Sequence, residues 1–122
     1  MTTAEMREPT FLVLAALADG PKHGYALIQE AATLSGGRVA LKVGTLYAAL
    51  DRLSTEGLVA PAGDEVVDGR LRRFYELTEE GAASLADEVE RMRSLSSQAA
   101  TRLQQRPGLA TAGLATAGLA FS

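Results

Sequence analysis

The sequence predicts a mostly α-helical protein with one small β-hairpin, and two adjacent segments predict it. Val43 to Leu58 reads as an amphipathic helix with a glycine stop at Gly57. Asp68 to Thr78 reads as a hairpin tip followed by a strand that carries Arg70, Arg72 and Arg73. A helix able to enter a DNA groove, followed by a basic hairpin able to lie on the backbone, is the plan of a winged helix-turn-helix. A long helical pattern after Thr78 adds a C-terminal dimerisation helix. The expected organisation is a DNA-binding domain over residues 1–78, a dimerisation helix over 79–105 and a low-complexity tail over 106–122.

The first helix opens at Glu8-Pro9-Thr10, with Thr10 as a candidate cap. Phe11 to Ala18 is apolar on nearly every face, the pattern of a helix buried all round, and Asp19-Gly20-Pro21 ends it. The second helix is expected over about Gly24 to Leu34. Tyr25, Ile28 and Ala32 recur at helical spacing and are expected to face the core. Ser35-Gly36-Gly37 stops this helix, and Arg38 to Leu41 forms a short link.

The third helix is expected over about Val43 to Glu56, with Leu46, Leu50 and Leu53 as its inward stripe. Gly57 stands where a left-handed C-cap is wanted, and Leu58 folds back as the apolar partner of that cap. Thr45, Ala48 and Arg52 fall on the outer face, with Tyr47 and Asp51 beside them. The small residues Gly44, Thr45 and Ala48 allow close approach to a groove floor.

Leu58 to Pro61 and Leu71 to Leu77 flank Asp64 to Gly69 as the two strands of a hairpin, with Asp68-Gly69 at or near the turn. Thr78-Glu79-Glu80 then starts a helix, its hydroxyl placed to cap and its carboxylates at the positive end of the dipole. Leu85, Val89, Met92, Ser96, Ala99 and Leu103 step by alternating fours and threes. That seam is too poor in large side chains to be stable alone, so Leu85, Val89, Met92, Ala99 and Leu103 are expected to pair with their own copies. Arg106-Pro107-Gly108 breaks the helix. The repeat that follows, Gly108 to Ala112 and again Gly113 to Ala117, has a period of five. Five residues turn a helix by about 140°, so its leucines form no stripe, and a tail without stable structure is expected.

Composition narrows the class of function. There is no cysteine, hence no disulfide framework and no thiolate metal site, and a single histidine. No glycine-rich phosphate loop and no metal-ligand spacing occur, so no catalytic, cofactor or metal residues are expected and the chain does not read as an enzyme. The longest apolar run, Phe11 to Ala18, is too short to span a bilayer, and Met1 to Glu8 lacks the pattern of a signal peptide. A cytoplasmic protein without membrane partners is expected. The net charge of −3 counts against nucleic acid. Its distribution counts in favour: three arginines stand against Glu76 over residues 70–77, whereas residues 78–93 are acidic.

The same residues resemble the PadR family of bacterial transcriptional regulators. The matching stretches are Leu17 to Leu27, Gly44 to Leu53, Glu56 to Val59 and Gly69 to Gly81, in family order, within a span of about residues 7–105. The resemblance implies a winged-helix domain, a C-terminal dimerisation helix and repression of nearby promoters, in the compact type with one long helix after the wing. The chain departs from the family pattern where a small polar cap and a proline usually precede Gly44-Thr45-Leu46-Tyr47; here those places hold Lys42 and Val43. Some members bind flat drug-like molecules between tryptophans at the dimer centre; this chain has no tryptophan, so that site is not carried over.

The expected DNA contacts are Lys22, His23, Lys42, Gly44, Thr45, Tyr47, Ala48, Arg52, Arg70, Arg72 and Arg73. Arginine suits phosphate through its planar fork, although one or two arginines on an edge strand are commonly just solvated. Tyr47 is a phosphate donor or a partly buried ring. Arg52 either reaches DNA or pairs with Glu56. Lys42 is electrostatically poor at a helix start, which a phosphate would relieve. Lys22 and His23 either face a phosphate or form a plain turn. The leading reading is a homodimeric repressor on a pseudo-palindromic operator in double-stranded DNA, released by a small-molecule effector of unknown identity. The alternative is a winged-helix protein-interaction module without DNA binding.

Overall fold

A computed structural model describes residues 6–108. The element order is α1 (Glu8–Leu17), β1 (Lys22–His23), α2 (Gly24–Leu34), α3 (Val43–Thr55), β2 (Val59–Val67), β3 (Arg70–Leu77) and α4 (Glu79–Gln104). The three strands form one antiparallel sheet in the order β1-β3-β2. The chain divides into two compact units, Met1–Glu88 and Val89–Ser122, so the division falls inside α4. The repeat tail from residue 109 onward lies outside the described residues.

In the first unit, the core is built chiefly from α1, α2 and α3, with Val59 of β2, Tyr75 of β3 and Leu85 of α4 closing it. Leu12, Val13, Leu14, Ala16 and Leu17 of α1 are all at most 5% exposed, as expected of a helix apolar on nearly every face. Pro9 fits its first turn, where a missing N–H costs nothing. Thr10 is not the cap: Arg7 takes that position without a side-chain bond, and Thr10 lies buried one turn in. The leucine stripe of α3, Leu46, Leu50 and Leu53, is fully buried.

The core face of α2 differs from the expected one. Gly24, Leu27 and Ala31 are buried, whereas Tyr25 is 55% exposed and Ile28 and Ala32 are half-buried. The cause is a close crossing with α3. The Tyr47 ring lies over Gly24, where an added Cβ would stand only 2.9 Å from Tyr47 Cζ and 3.3 Å from Leu46 Cδ2. A large side chain does not fit at that point unless Tyr47 moves, so the helix turns its smallest residue inward and Tyr25 outward.

α3 ends as its sequence suggests. Gly57, at φ 79°, sends its N–H to Ser54 O at 3.1 Å, and Leu58 N–H reaches Leu53 O at 2.9 Å. These are the two bonds of a Schellman cap. The chain then enters β2, which runs past the expected end at Pro61 to Val67. Pro61 is tolerated because β2 is an edge strand. A register shift between Pro61 and Asp64 absorbs one extra residue as a bulge at Ala62-Gly63. Asp68-Gly69 forms the two-residue turn, both with positive φ (52° and 77°), which matches the twist of the flanking strands.

α4 starts as its sequence suggests. Thr78 Oγ1 accepts the Gly81 N–H at 3.0 Å and donates to Gly57 O at 2.6 Å, joining the start of α4 to the end of α3. Leu85 is buried in the first unit, so it belongs to the protomer core and not to an open seam. In the second unit, Met92, Leu95, Ala99 and Leu103 are exposed and share one helical face. Leu95, which the heptad count passed over in favour of Ser96, is the most exposed of its large apolar residues at 54%.

Candidate nucleic-acid interface

The outer surface of α3 is open and made of small or cationic groups. Lys42, Val43, Gly44, Thr45, Tyr47, Ala48, Asp51 and Arg52 are all exposed. Lys42 sits at the N-cap with extended backbone and no side-chain cap bond, since an ammonium has no lone pair to offer. The first amides of α3, which like those of any helix lack an intrahelical partner, therefore receive no side-chain cap and carry the positive end of the dipole, with no acidic residue in that turn. A Cβ added at Gly44 would meet nothing within 4 Å, so the surface above it is free.

The wing stands beside this helix. Its strand β3 places Leu71, Arg73 and Tyr75 on the face towards α3, and Arg70, Arg72 and Phe74 on the other. A groove of about 450 Å³ separates the two elements, lined by Tyr47 and Asp51 from α3 and by Asp64, Leu71, Arg73 and Tyr75 from the wing. Arg73 Nε lies 3.7 Å from Asp64 Oδ1, and both side chains are substantially exposed. The Arg72 guanidinium lies over the Tyr25 ring, 5.8 Å from its centroid, with Nε buried and unpartnered. Arg70, beside the turn, is exposed.

Three residues expected at the interface have other partners. Lys22 Nζ donates to Ala16 O at 2.6 Å, pairs with Asp19 and lies 3.9 Å from Glu30, with its side chain only 15% exposed. Asp19 is held below the usual carboxylate range chiefly by the hydrogen bond from Lys22, and secondly by its charge. His23 is the N-cap of α2: its Nδ1 accepts the Ala26 N–H at 3.3 Å, and its ring meets Phe74 edge-on at 5.3 Å. Arg52 turns towards α1, where its Nη2 donates to Thr10 Oγ1 at 2.9 Å and its Nη1 lies 3.8 Å from Glu56. All three tie elements of the domain together: Lys22 and Arg52 by bonds they donate, His23 by the one it accepts.

Sequence reasoning missed β1, which pairs Lys22 with Tyr75 and His23 with Phe74 and so fastens the wing to the start of α2. It also missed the acid ladder of the wing. Glu65 stands opposite Arg72 and Asp64 opposite Arg73. The signal was present: taking Asp68-Gly69 as a two-residue turn pairs Val67 with Arg70 and fixes both oppositions in turn. Arg38 grips Glu8 with both terminal nitrogens, joining the α2–α3 link to the start of α1. Among the described residues no group of His, Cys, Asp and Glu fits a metal ion, and no helix is long and apolar enough to cross a membrane.

The model of the transcriptional regulator PadR-like family matches residues 13–87, from the middle of α1 into α4. The chain is 38% identical over 81 residues to the transcriptional regulator Rv3488 of Mycobacterium tuberculosis, covering 66% of this chain and 72% of that protein. It is 45% identical over 87 residues to an uncharacterized 37.1 kDa protein in transposon TN4556 of Streptomyces fradiae. That match covers 71% of this chain but 24% of the relative, so the chain spans about a quarter of its length. A PadR family transcription regulator from Clostridium difficile R20291 superposes with a TM-score of 0.64 at 25% identity, covering 75% of this chain and 93% of that one. The Bacillus subtilis PadR structure, solved in complex with operator DNA, matches with a TM-score of 0.59 at 23% identity, covering 68% and 47%. That likeness shows the winged-helix fold.

Proposed function

Because the chain belongs to the PadR-like family of transcriptional regulators, and is therefore a regulator and not an enzyme, we propose that it binds double-stranded DNA as a homodimer and represses transcription from a pseudo-palindromic operator. The observation that carries this reading is the open, uncapped start of α3, with Lys42 at the cap and Gly44, Thr45 and Ala48 on its outer face. A helix with small residues on its outer face can lie close to the floor of a major groove. Thr45 then meets base edges through its hydroxyl, and Ala48 offers a methyl to the apolar edge of thymine. Lys42 and the free amides of α3 take backbone phosphate. Tyr47 and the wing arginines Arg70, Arg72 and Arg73 hold the flanking strand.

Residues 1–78 act as the DNA-binding part, and α4 over residues 79–105 as the dimerisation helix. The exposed stripe of Met92, Leu95, Ala99 and Leu103 favours that role, since an apolar face on a long helix is stabilised by a partner. Two recognition helices related by a two-fold axis would enter successive major grooves about 34 Å apart. Release follows from a small-molecule effector that changes the spacing of the two halves. The protein works in the cytoplasm, where its DNA is.

The test is binding to labelled duplex across a salt series. Wild-type affinity should fall steeply with salt. Lys42→Ala and Arg70→Ala should each weaken binding and flatten the slope by about 0.9 per lost phosphate contact. A folded protein whose affinity shows no salt dependence would instead favour a winged-helix protein-interaction module.

A further inference from the structure

The wing does not present all of its arginines freely. Between Val59 and Leu77 it carries Arg70, Arg72 and Arg73, but also Asp64, Glu65, Asp68 and Glu76. The acids are not scattered. The two-residue turn sets Asp64 directly across from Arg73, on the face that looks towards α3, and their charged atoms lie 3.7 Å apart. This pair borders the groove between the wing and α3, where Tyr47 supplies a phenol and Asp51 a second carboxylate. A backbone running past α3 towards the wing has to pass this groove. The Asp64 carboxylate meets Arg73 as an anion, which is the chemistry of a phosphate.

We propose that the groove between α3 and the wing is a phosphate subsite served by Arg73 and Tyr47, and that in the free protein Asp64 stands in for the phosphate and must yield Arg73 to it. The inference rests on the DNA-binding reading above and deepens it. The pair is exposed, with the Arg73 side chain 64% and the Asp64 side chain 46% accessible, so it opens readily. Its effect is on charge. While paired, Arg73 and Asp64 together present no net charge to DNA and release no counterion, so Arg73 adds nothing to the salt dependence. This accounts for an arginine-bearing wing on an acidic protein: the acid strand of the wing holds down binding by charge alone, leaving recognition to the fit of α3.

The experiment uses the full chain and a fluorescein-labelled 30-base-pair duplex of mixed sequence, with affinity measured across a potassium chloride series. Four proteins are compared with wild type: Asp64→Asn, Arg73→Ala, the double variant, and Asp87→Asn as a control for loss of one negative charge elsewhere. Asp87 is exposed on α4. Asp64→Asn should tighten binding by up to about fivefold more than the control and steepen the salt slope by about 0.9. In the Arg73→Ala background, Asp64→Asn should do no more than the control does. An Asp64→Asn effect that persists without Arg73, or an unchanged slope, overturns the proposal while leaving DNA binding intact. A wild type without any salt-dependent affinity overturns the DNA-binding reading itself, and this inference with it.

Discussion

Replacing Gly81 with alanine should lower stability by about 2 kcal/mol, while the same replacement at Gly44 should leave it unchanged or raise it. Both glycines lie within helices, where alanine is favoured by about 1 kcal/mol. At Gly44 a Cβ meets nothing within 4 Å, so that preference acts alone. At Gly81 a Cβ would stand 2.8 Å from Leu77 Cδ1, 3.0 Å from the Leu58 carbonyl carbon and nearer still to the Leu58 oxygen. Leu77 can turn aside, but the carbonyl cannot. It accepts the Thr78 N–H at 3.1 Å, and it belongs to the residue that closes the α3 cap. Overpacking of this kind costs about 1–3 kcal/mol, and weakening the Thr78 bond adds about 1 kcal/mol, against about 1 kcal/mol gained in propensity. For a unit of this size the unfolding midpoint should fall by roughly 10 °C. Thermal and urea unfolding, followed by circular dichroism at one protein concentration, reads both variants. A Gly81→Ala protein as stable as wild type, or an equal loss at Gly44, would refute the close-approach reasoning.

Gly24→Ala should keep the fold, because the nearest obstacle is the far end of the Tyr47 side chain, yet weaken DNA binding about tenfold as the phenol is pushed from its place. Tyr47→Phe should reproduce most of that loss by removing the hydroxyl alone; an unaffected Tyr47→Phe would assign the effect to something else. Leu95→Glu should leave the protomer folded and convert a dimer to a monomer in analytical ultracentrifugation, since it places a charge at the centre of the exposed stripe of α4. Stability should be flat near neutrality and decline in acid. The hydrogen bond from Arg38, together with its charge, holds the Glu8 carboxyl below its usual range, and Asp19 is held down by Lys22. A carboxyl lowered in the folded state binds fewer protons there, so its contribution is present above the unfolded value and is lost as pH falls through the folded one. Glu8→Gln should therefore make the acid decline shallower, and an identical profile would show that the Glu8–Arg38 pair contributes nothing.

The most legible parts of the fold were those governed by local rules. The leucine stripe of α3, the glycine cap at Gly57, the Asp68-Gly69 turn and the Thr78 start of α4 each depend on residues within a few positions of one another. The parts that escaped depend on what lies across the molecule. Hydrophobicity ranks Tyr25 above Gly24 as a core residue, but the crossing of α2 with α3 under Tyr47 needs the smaller one. Strand β1 has two residues, too few for any alternation to appear. Arg52 meets Thr10 across 42 positions of chain, a pairing no window can contain. The wing was half legible. Its arginines stood out by type, whereas the placing of Asp64 and Glu65 opposite Arg73 and Arg72 becomes visible only once the turn fixes the register.

Whether this chain reads DNA as a symmetric pair is decided by selection. Full-length protein would be equilibrated with fragmented host genomic DNA at physiological salt, the retained fragments sequenced and the bound site footprinted. A homodimeric repressor should recover a short inverted repeat whose half-sites lie one helical turn apart, about 34 Å, with protection over both. Recovery of no enriched sequence by a folded, dimeric protein, or of a lone half-site without its mate, would contradict that reading.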